Sequence, residues 1–476
     1  MYRTNLALVG AVAALLHTTA LAQVTMTPLP TFGTGGWVAP GTHPYVSTGN
    51  TERGLAVNPL TGNLVLVARQ NVGGTSNNIR ILDGATGADL GGLNNTGLAG
   101  GTFLVNMCDV GDDGAIYAAN LATSATASFK VYKWTSEAAG LTTAPTVAYD
   151  AVSGVSRIGD SFAVHGGTAS PAKFAAAGSS IVSASNFVSG PLDATNASVA
   201  YLSVPGTLGS SNDYRLGMTF VDASTVIGNQ GANARLTTFD PVSATVAASI
   251  PLGGVARRAI DYAVIAGRPV VAVIDTNSSQ VFVFDISDPL VPVQLATGNN
   301  TTGTLLANGN GTGSVSWGPV TGNSAVLYAM SSNQGIQAFS FTMGPNANAT
   351  ILGAGCDGLG FGTNGLPSLG NTLFELAVTN VPVWAPVALV AFGSTSIPGG
   401  LDLTSIGMPG CFAYNTLDLG LFATGPVVAG VGIFPFAIPN NPALAGLVLS
   451  TQGASFSLAN SMGLSSSNGI ELNLGF

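Results

Sequence analysis

Short apolar runs alternate with turn residues along the whole chain. Runs of four to six β-forming residues are bounded by Gly, Asn, Asp and Pro, a pattern typical of short strands joined by tight turns. Segment 64–68 (LVLVA) is one such run, and 281–285 (VFVFD) is another. The pattern therefore predicts an all-β protein.

One strand-turn unit repeats through the first two thirds of the chain. The segment PLTGNLVLVA at 59–68 returns as PVTGNSAVLYA at 319–329. Gly62 and Gly322 are 260 residues apart across five intervals, which gives a mean repeat of 52 residues. Units of three or four strands that recur near fifty residues are typical of propeller blades. Six such units predict a six-bladed β-propeller over residues 23–343, with seven blades as the alternative.

The last of these units is too short to complete a blade alone. Residues 312–343 have room for three strands. We expect the N-terminal stretch 23–32 to add the outer strand, because closing the ring in this way removes exposed sheet edges.

The composition changes at residue 344. From there to 476, 133 residues contain no Lys, Arg or His and only five acidic residues. Short β-like runs lie between Gly, Pro and Asn turns without a helical period, which predicts a C-terminal β-sandwich. The uncharged stretch 419–438 is long enough to span a membrane, but its Gly and Pro residues favour short buried strands instead.

Charge and the N-terminus limit the possible partners and the compartment. With 13 basic and 22 acidic residues in 476, a nucleic-acid-binding surface is not expected. Arg3, the apolar stretch 6–16 and the small-residue site 20–22 describe a signal peptide over 1–22. We therefore predict a secreted protein, in the extracellular space, at the cell surface or in the periplasm, without a transmembrane anchor.

Several motifs resemble known families. The segments 61–64 (TGNL) and 113–117 (DGAIY) resemble the strand-turn signature of lactonase-like and NHL-type propellers, and 283–289 (VFDISDP) resembles a repeat of surface-protein propellers. As a whole, the propeller region is most similar to a secreted propeller family of unknown function. The C-terminal region resembles a module that ends many secreted proteins of planctomycete-type bacteria, through its motifs at 355–356, 407–411, 438–442 and 467–469.

Three cysteines in an exported chain suggest one disulfide and one leftover thiol. Cys356 and Cys411 share the C-terminal domain and Gly-rich turns, so we favour this pair. Cys108 is then free, and we expect it to be a buried, unreactive thiol of the second blade.

Four arginines recur at one position of the repeat, at or just before the predicted innermost strand of a blade: Arg53, Arg157, Arg215 and Arg258. Side chains at this position converge on one mouth of the propeller channel. Their planar donor groups suit carboxylate or phosphate, so we predict a site for an anionic small molecule or glycan. The alternative is that each arginine pairs with a neighbouring acid and only ties blades together; these acids are Glu52, Asp160, Asp213 and Asp261.

The resemblance to lactonase-like propellers also implies a Ca²⁺ site in the channel. Glu52, Asn106 and Asp261 are the candidate oxygen ligands. The leading hypothesis requires no cofactor, and Ca²⁺ is the alternative. No nucleophile elbow, phosphate loop or zinc-binding motif is present, so no catalytic residue is assigned.

The sequence therefore favours a secreted, non-catalytic binding or interaction scaffold. Its expected partner is a surface protein, a glycan or a small anionic ligand. The alternative is a lactonase-like or carbohydrate-active hydrolase with a Ca²⁺-dependent channel site.

Overall fold

The computed structural model describes residues 24–69, 78–179, 186–193, 200–203, 213–241 and 243–476. The predicted signal peptide, 1–22, lies outside these residues. Within them the protein is all-β, with antiparallel sheets and a single short α-helix, α1 (Glu137–Gly140). The chain divides into two compact units, Thr25–Thr342 and Met343–Phe476.

The unit Thr25–Thr342 begins with two short strands and two four-stranded sheets. The short strands are β1 (Thr25–Pro28) and β2 (Trp37–Val38). The first sheet contains β3 (Glu52–Val57), β4 (Leu64–Ala68), β5 (Asn78–Leu82) and β6 (Asp89–Gly92). The second sheet contains β7 (Phe103–Val110), β8 (Ile116–Leu121), β9 (Ser128–Trp134) and β10 (Thr146–Val152).

Four more sheets complete the described part of this unit. The third contains β11 (Ser156–His165), β12 (Lys173–Ser179), β13 (Asn186–Pro191) and β14 (Ala200–Ser203). The fourth contains β15 (Met218–Asp222), β16 (Thr225–Gln230), β17 (Asn233–Phe239) and β18 (Ala244–Pro251). The fifth contains β19 (Arg257–Ile265), β20 (Arg268–Asp275), β21 (Val281–Asp285) and β22 (Val293–Gly298). The sixth contains β23 (Gly313–Trp317), β24 (Ser324–Ser331) and β25 (Ile336–Thr342).

The sixth sheet takes its outer strand from the N-terminus. β1 pairs antiparallel with β25, with Thr25 opposite Thr342 and Pro28 opposite Phe339, and β2 pairs with the other end of β25. The expectation that an N-terminal strand completes the last sheet is therefore confirmed.

The first strands of the six sheets are neighbours in space. β3 contacts β7, and the contacts continue through β11, β15 and β19 to β23, which contacts β3 in turn. Side chains bridge these strands: Ser316 Oγ accepts the Val57 N–H at 3.1 Å, and Asp109 Oδ2 accepts the Val164 N–H at 2.6 Å. Such bridges satisfy edge amides that would otherwise be buried without a partner.

The apolar core of this unit lies between the faces of adjacent sheets. Val65, Cys108 and Trp134 belong to one buried cluster between the first and second sheets. Cys108 is a buried free thiol, as predicted, and donates to the Val65 carbonyl at 3.3 Å. Burial raises the pKa of this thiol, so it stays protonated and unreactive.

The unit Met343–Phe476 contains three antiparallel sheets in its described residues. Its strands are β26 (Asn348–Leu352), β27 (Gly360–Thr363), β28 (Glu375–Thr379), β29 (Val387–Gly393), β30 (Ser396–Asp402), β31 (Phe412–Asn415), β32 (Gly420–Pro426), β33 (Gly432–Pro435), β34 (Val448–Phe456) and β35 (Leu464–Asn473). The largest sheet has the order β26-β35-β34-β29-β32. Two 3-10 turns cover Thr404–Ile406 and Pro442–Leu444.

The uncharged stretch 419–438 forms β32 and β33, so it is not a helix. Among the residues that the structure describes, no helix has the length and apolar character needed to cross a bilayer. Cys356 and Cys411 form a disulfide, which is the pairing that the sequence favours. The two sulfur atoms are bonded to each other and are therefore not free thiols. Asp357 lies close to them, so these three side chains could bind a metal only if the disulfide were reduced.

Candidate functional site

The four predicted arginines lie at the start of innermost strands. Arg53 is in β3, Arg157 in β11 and Arg258 in β19, and Arg215 precedes β15 by three residues. Arg53 donates to Thr312 and Arg258 Nη1 lies against Gly311, so these two guanidinium groups reach adjacent residues at one end of the ring of innermost strands. Arg157 lowers the pKa of both Arg53 and Arg215, and Arg258 also lowers the pKa of Arg215. We call this end the arginine mouth.

Arg53 is the most deeply buried member, with 6% of its surface exposed. Its Nη1 donates to Thr312 Oγ1 at the start of the sixth sheet, whereas its buried Nε has no hydrogen-bond partner. Burial is the largest cause that lowers its pKa, and Asp160 and Glu52 act in the opposite direction. A buried guanidinium whose N–H group has no hydrogen-bond acceptor raises the free energy of the folded state until an acceptor binds it.

Arg69 is a fifth member that the sequence analysis missed. It follows β4, the partner of β3, and therefore returns to the end of the sheet from which Arg53 starts. Its Nη2 donates to Asn106 Oδ1, and its guanidinium lies 3.5 Å from the centre of the Phe103 ring. Burial, followed by the charge of Arg53, lowers the pKa of Arg69 to about 9.

Arg157 and Asp160 form an ion pair inside the mouth. Arg157 Nε donates to Asp160 Oδ2 at 2.7 Å; the Arg157 side chain is 43% exposed, whereas that of Asp160 is 1% exposed. Arg157 adopts a positive φ of 53°, which is uncommon for a residue with a Cβ. Asp160 thus supplies a buried negative charge. The Arg157 side chain lies at the rim of the site, where solvent can reach it.

Arg215 and Arg258 lie on the fourth and fifth sheets. Arg215 Nη1 donates weakly to Ser179 Oγ at 3.4 Å, and its buried Nε has no partner. Arg258 extends towards the sixth sheet, where any Cβ at Gly311 would collide with its Nη1. Glycine at 311, with a positive φ of 60°, is therefore what leaves room for this guanidinium.

The ion-pair alternative is met at one of the four positions among the described residues, at Arg157 and Asp160. The other three acids have different donors. Asp213 accepts from Gln230 Nε2 at 2.7 Å, Asp261 accepts the Trp317 N–H at 2.8 Å, and Glu52 accepts the Ser47 N–H. Simple cross-ties between adjacent charges therefore do not explain the cluster.

A small cavity of about 60 Å³ lies between the innermost strands of all six sheets. Its polar lining includes Asp160, Asp109 and Asp261. Burial raises the pKa of Asp109 to about 7 and that of Asp261 to about 6, although backbone N–H donors counteract the shift in both. These carboxyl groups bridge strands, since Asp109 holds β11 and Asp261 holds β23.

The three candidate Ca²⁺ ligands are engaged by protein donors. Asn106 Oδ1 accepts from Arg69, and its Nδ2 donates to the Gly159 carbonyl at 2.5 Å. Asp261 Oδ1 accepts from Thr219 Oγ1 at 3.0 Å and from the Tyr262 N–H at 2.8 Å. Glu52 is 1% exposed and keeps one oxygen, Oε2, without a partner. The guanidinium on Asn106 disfavours a cation at that oxygen.

No protein-family model matches this chain, and no curated protein matches it. The solved structures that are similar over part of it include the three described next. A DUF4623 family protein from Bacteroides eggerthii is 14% identical, with a TM-score of 0.46 over 62% of this chain and 71% of that one.

The other two structures carry the names of enzymes. A putative oxidoreductase (glucose dehydrogenase) from Thermus thermophilus is 11% identical, with a TM-score of 0.37 over 67% of this chain and 99% of that one. A luciferin-regenerating enzyme is 12% identical, with a TM-score of 0.40 over 67% of this chain and 95% of that one. Similarity at this level does not define the activity of this chain.

Proposed function

We propose that this chain is a secreted, non-catalytic binding scaffold whose arginine mouth takes an anionic ligand. In this proposal the six sheets of Thr25–Thr342 are the blades of a closed six-bladed propeller, and Met343–Phe476 is a β-sandwich module for attachment or assembly. The contact of β23 with β3 and the pairing of β1 with β25 support the closed ring.

One observation carries the anion site. Three arginines of the mouth, Arg53, Arg69 and Arg215, each keep a buried Nε without a hydrogen-bond partner. Burying unpaired guanidinium donors beside like charges costs free energy, which a bound carboxylate or phosphate would offset through two parallel hydrogen bonds. The mouth is therefore most stable when an anion occupies it.

Secretion is supported by the disulfide between Cys356 and Cys411, because such bonds persist in oxidising compartments. The signal-peptide pattern at 1–22 adds to this. A surface protein, a glycan or a small anion at the cell surface remains the proposed partner class.

The test is to replace Arg157 and Arg215 together by Ala and to measure binding of trigalacturonate by calorimetry. We expect the double variant to lose at least ten-fold in affinity, because each charge-assisted hydrogen bond contributes on the order of 1.5–3 kcal/mol. Its melting temperature should fall as well, because loss of Arg157 leaves the buried Asp160 carboxylate without its ion-pair partner, so the single variant Arg215→Ala, whose arginine makes one weak hydrogen bond, is measured beside it to separate binding from stability.

Arg257→Ala is the matched control. Arg257 neighbours Arg258 in β19, but its guanidinium lies 3.6 Å from the centre of the Phe282 ring and donates to the Leu252 carbonyl. This variant should bind like the wild type. A wild-type protein that binds no carboxylate or phosphate would rule out the proposed function.

The hydrolase alternative has one observation in its favour, the unpartnered Oε2 of buried Glu52. If it is correct, Ca²⁺ should raise the melting temperature, and Glu52→Gln should abolish both that shift and any lactone hydrolysis. Without a Ca²⁺-dependent shift, this alternative fails.

A further inference from the structure

Contacts between the sheets join the five arginines of the mouth around one opening. Arg53 donates to Thr312, and Arg258 Nη1 lies against Gly311, so both guanidinium groups reach the start of the sixth sheet. The Arg258 carbonyl also lies against Gly217, just before β15, where a Cβ would collide with it. The first, fourth, fifth and sixth sheets therefore meet at this end of the ring.

Arg215 extends these contacts to the third sheet. Its Nη1 donates to Ser179 Oγ at 3.4 Å, and Ser179 pairs with Ser156 at the start of β11. Arg157 is the next residue of that strand. Arg215 and Arg157 are therefore neighbours at the mouth.

Arg69 completes the circuit through the second sheet. Its Nη2 donates to Asn106 Oδ1, and Asn106 Nδ2 donates to the Gly159 carbonyl at 2.5 Å, next to Asp160. Because β3 pairs with β4, Arg69 also returns to the end of the sheet where Arg53 lies. The mouth is therefore one centre of positive charge.

The guanidinium groups outnumber the carboxyl groups beside them. The acids next to the five arginines, in space or in sequence, are Asp160, Glu52 and Asp213. Even with all three ionised, five guanidinium groups and three carboxylates leave an excess of two positive charges. One dianion neutralises this excess, whereas one carboxylate neutralises half of it.

Two further carboxyl groups of the channel lie deeper. Asp109 follows Asn106 by three residues on β7, and Asp261 follows Arg258 by three on β19, which is roughly 10 Å along an extended strand. Both accept backbone amides near the far ends of neighbouring strands. Because salt screens charges over about 8–10 Å, they leave most of the excess in place.

Free donors at the mouth belong to different sides of the ring. Arg53 and Arg69 of the first sheet and Arg215 beside the fourth each keep a buried Nε without a hydrogen-bond partner. A carboxylate offers two acceptor oxygens in one plane, whereas a phosphate monoester offers three that point in different directions and carries close to two charges at neutral pH. Phosphate therefore fits both the directions of the donors and the excess charge.

We propose that the mouth binds one phosphate group, as a phosphate monoester or as free phosphate, in preference to a carboxylate. This inference rests on the proposed anion-binding function and names its ligand class. The Nε groups of Arg53, Arg69 and Arg215 donate to the phosphate oxygens, and the partly exposed Arg157 contacts it from the solvent side.

The experiment compares probes of different charge and shape on the full mature chain by calorimetry. Glycerol 3-phosphate and inorganic phosphate form the phosphate arm, methanesulfonate is a tetrahedral monoanion, and acetate is a planar one. At about pH 7.5 the better phosphate probe should bind roughly ten-fold or more tightly than either monoanion, because it pairs with twice the charge. The tighter of the two phosphate probes identifies the source of the ligand.

A pH series separates the charge of the ligand from that of the protein. A phosphate monoester loses its second proton near pH 6, so roughly one tenth of it is dianionic at pH 5, whereas sulfate keeps two charges throughout. Sulfate therefore reports what the protein's own carboxyl groups contribute; those that face the mouth or the channel are Glu52, Asp109, Asp160, Asp213 and Asp261. The ratio of glycerol 3-phosphate affinity to sulfate affinity should rise roughly ten-fold from pH 5 to pH 7.5.

Variants then place the phosphate at the mouth. Arg215→Ala and Arg258→Ala each remove one positive charge, and each should weaken phosphate binding roughly ten-fold while changing acetate binding less. Arg257→Ala should bind like the wild type. If Arg215→Ala does not fold, Arg215→Lys keeps the charge, loses the planar donors and should still weaken phosphate binding.

Two results would overturn the preference for phosphate while leaving anion binding intact. One is an affinity for acetate or methanesulfonate that equals the affinity for phosphate. The other is a ratio of glycerol 3-phosphate affinity to sulfate affinity that stays constant with pH. Absence of binding by every probe, trigalacturonate included, would instead refute the proposed function itself.

Discussion

Asp109 and Asp261 are buried carboxyl groups that accept backbone amides from the next sheet. Neither forms an ion pair with a described residue, and burial raises the pKa of both, to about 7 and about 6. A carboxyl group whose pKa is raised by folding stabilises the fold most below its unfolded pKa, and this contribution is lost as the pH rises through the folded pKa.

The free energy of unfolding should therefore fall as the pH rises from about 4, the unfolded pKa of Asp, to the folded values of about 6 and about 7, by roughly 1.4 kcal/mol per pH unit for each group, and should level off above them. Asp109→Asn should flatten this slope, because the amide does not titrate. Urea denaturation at a series of pH values provides the measurement. Burial lowers the pKa of His165, which acts in the opposite direction, but it is present in both proteins and cancels in the comparison. Parallel slopes for the two proteins would contradict the role of Asp109.

At the level of secondary-structure elements, the spacing of the turns is the feature of the fold that can be predicted from the sequence. The repeated Thr-Gly-Asn turn before β4 and near β24 marks the strands, and the short last unit indicates that β1 must complete it. Arg69 was missed because it lies outside the repeated position of the other four arginines. The pairing of Glu52 with Ala68 across the β3–β4 hairpin would have placed Arg69 at the same mouth.

The roles of the acids were harder to anticipate, because adjacency in sequence does not fix a hydrogen-bond partner. Asp261 is close to Arg258 in the chain, but its carboxylate accepts the Trp317 N–H of the next sheet. Successive side chains of a strand point to opposite faces, so two residues an odd number of positions apart lie on different faces. The bulge between Arg257 and Ala259 shifts this alternation.

The strand β1 contributes one apolar side chain to the closure of the sixth sheet. Met26 pairs with Phe341 and reaches Gly298 at the edge of the fifth sheet, where a Cβ would come within 2.6 Å of Met26 Cε. We expect Met26→Asp to lower the free energy of unfolding by about 1–3 kcal/mol, because it places a charge in an apolar contact. Thermal melting monitored by circular dichroism measures the change.

Thr27→Asp is the control on the same strand, since Thr27 is exposed and its substitution should cost less than about 0.5 kcal/mol. If the two variants melt alike, β1 is paired but does not contribute to closure.

At the scale of the whole molecule, the two units should respond separately to reduction. Replacing Cys356 and Cys411 by Ala removes a crosslink across 55 residues, for which chain entropy predicts a loss of about 4 kcal/mol. Scanning calorimetry should show a lower transition for Met343–Phe476 and an unchanged one for Thr25–Thr342. Met26→Asp should shift only the transition of Thr25–Thr342, which identifies that transition. A common shift of both transitions would show that the units unfold together.

The pairing of β1 with β25 also has a consequence for the order of synthesis. β1 is the first strand of Thr25–Thr342 to be synthesised, and its partner β25 is the last. The sixth sheet therefore cannot be completed before β25 has been synthesised. Until then the backbone amides of β1 lack the partners that they have in the folded protein. Because loop closure over so long a segment is entropically costly, folding of this unit should end with the docking of its first strand.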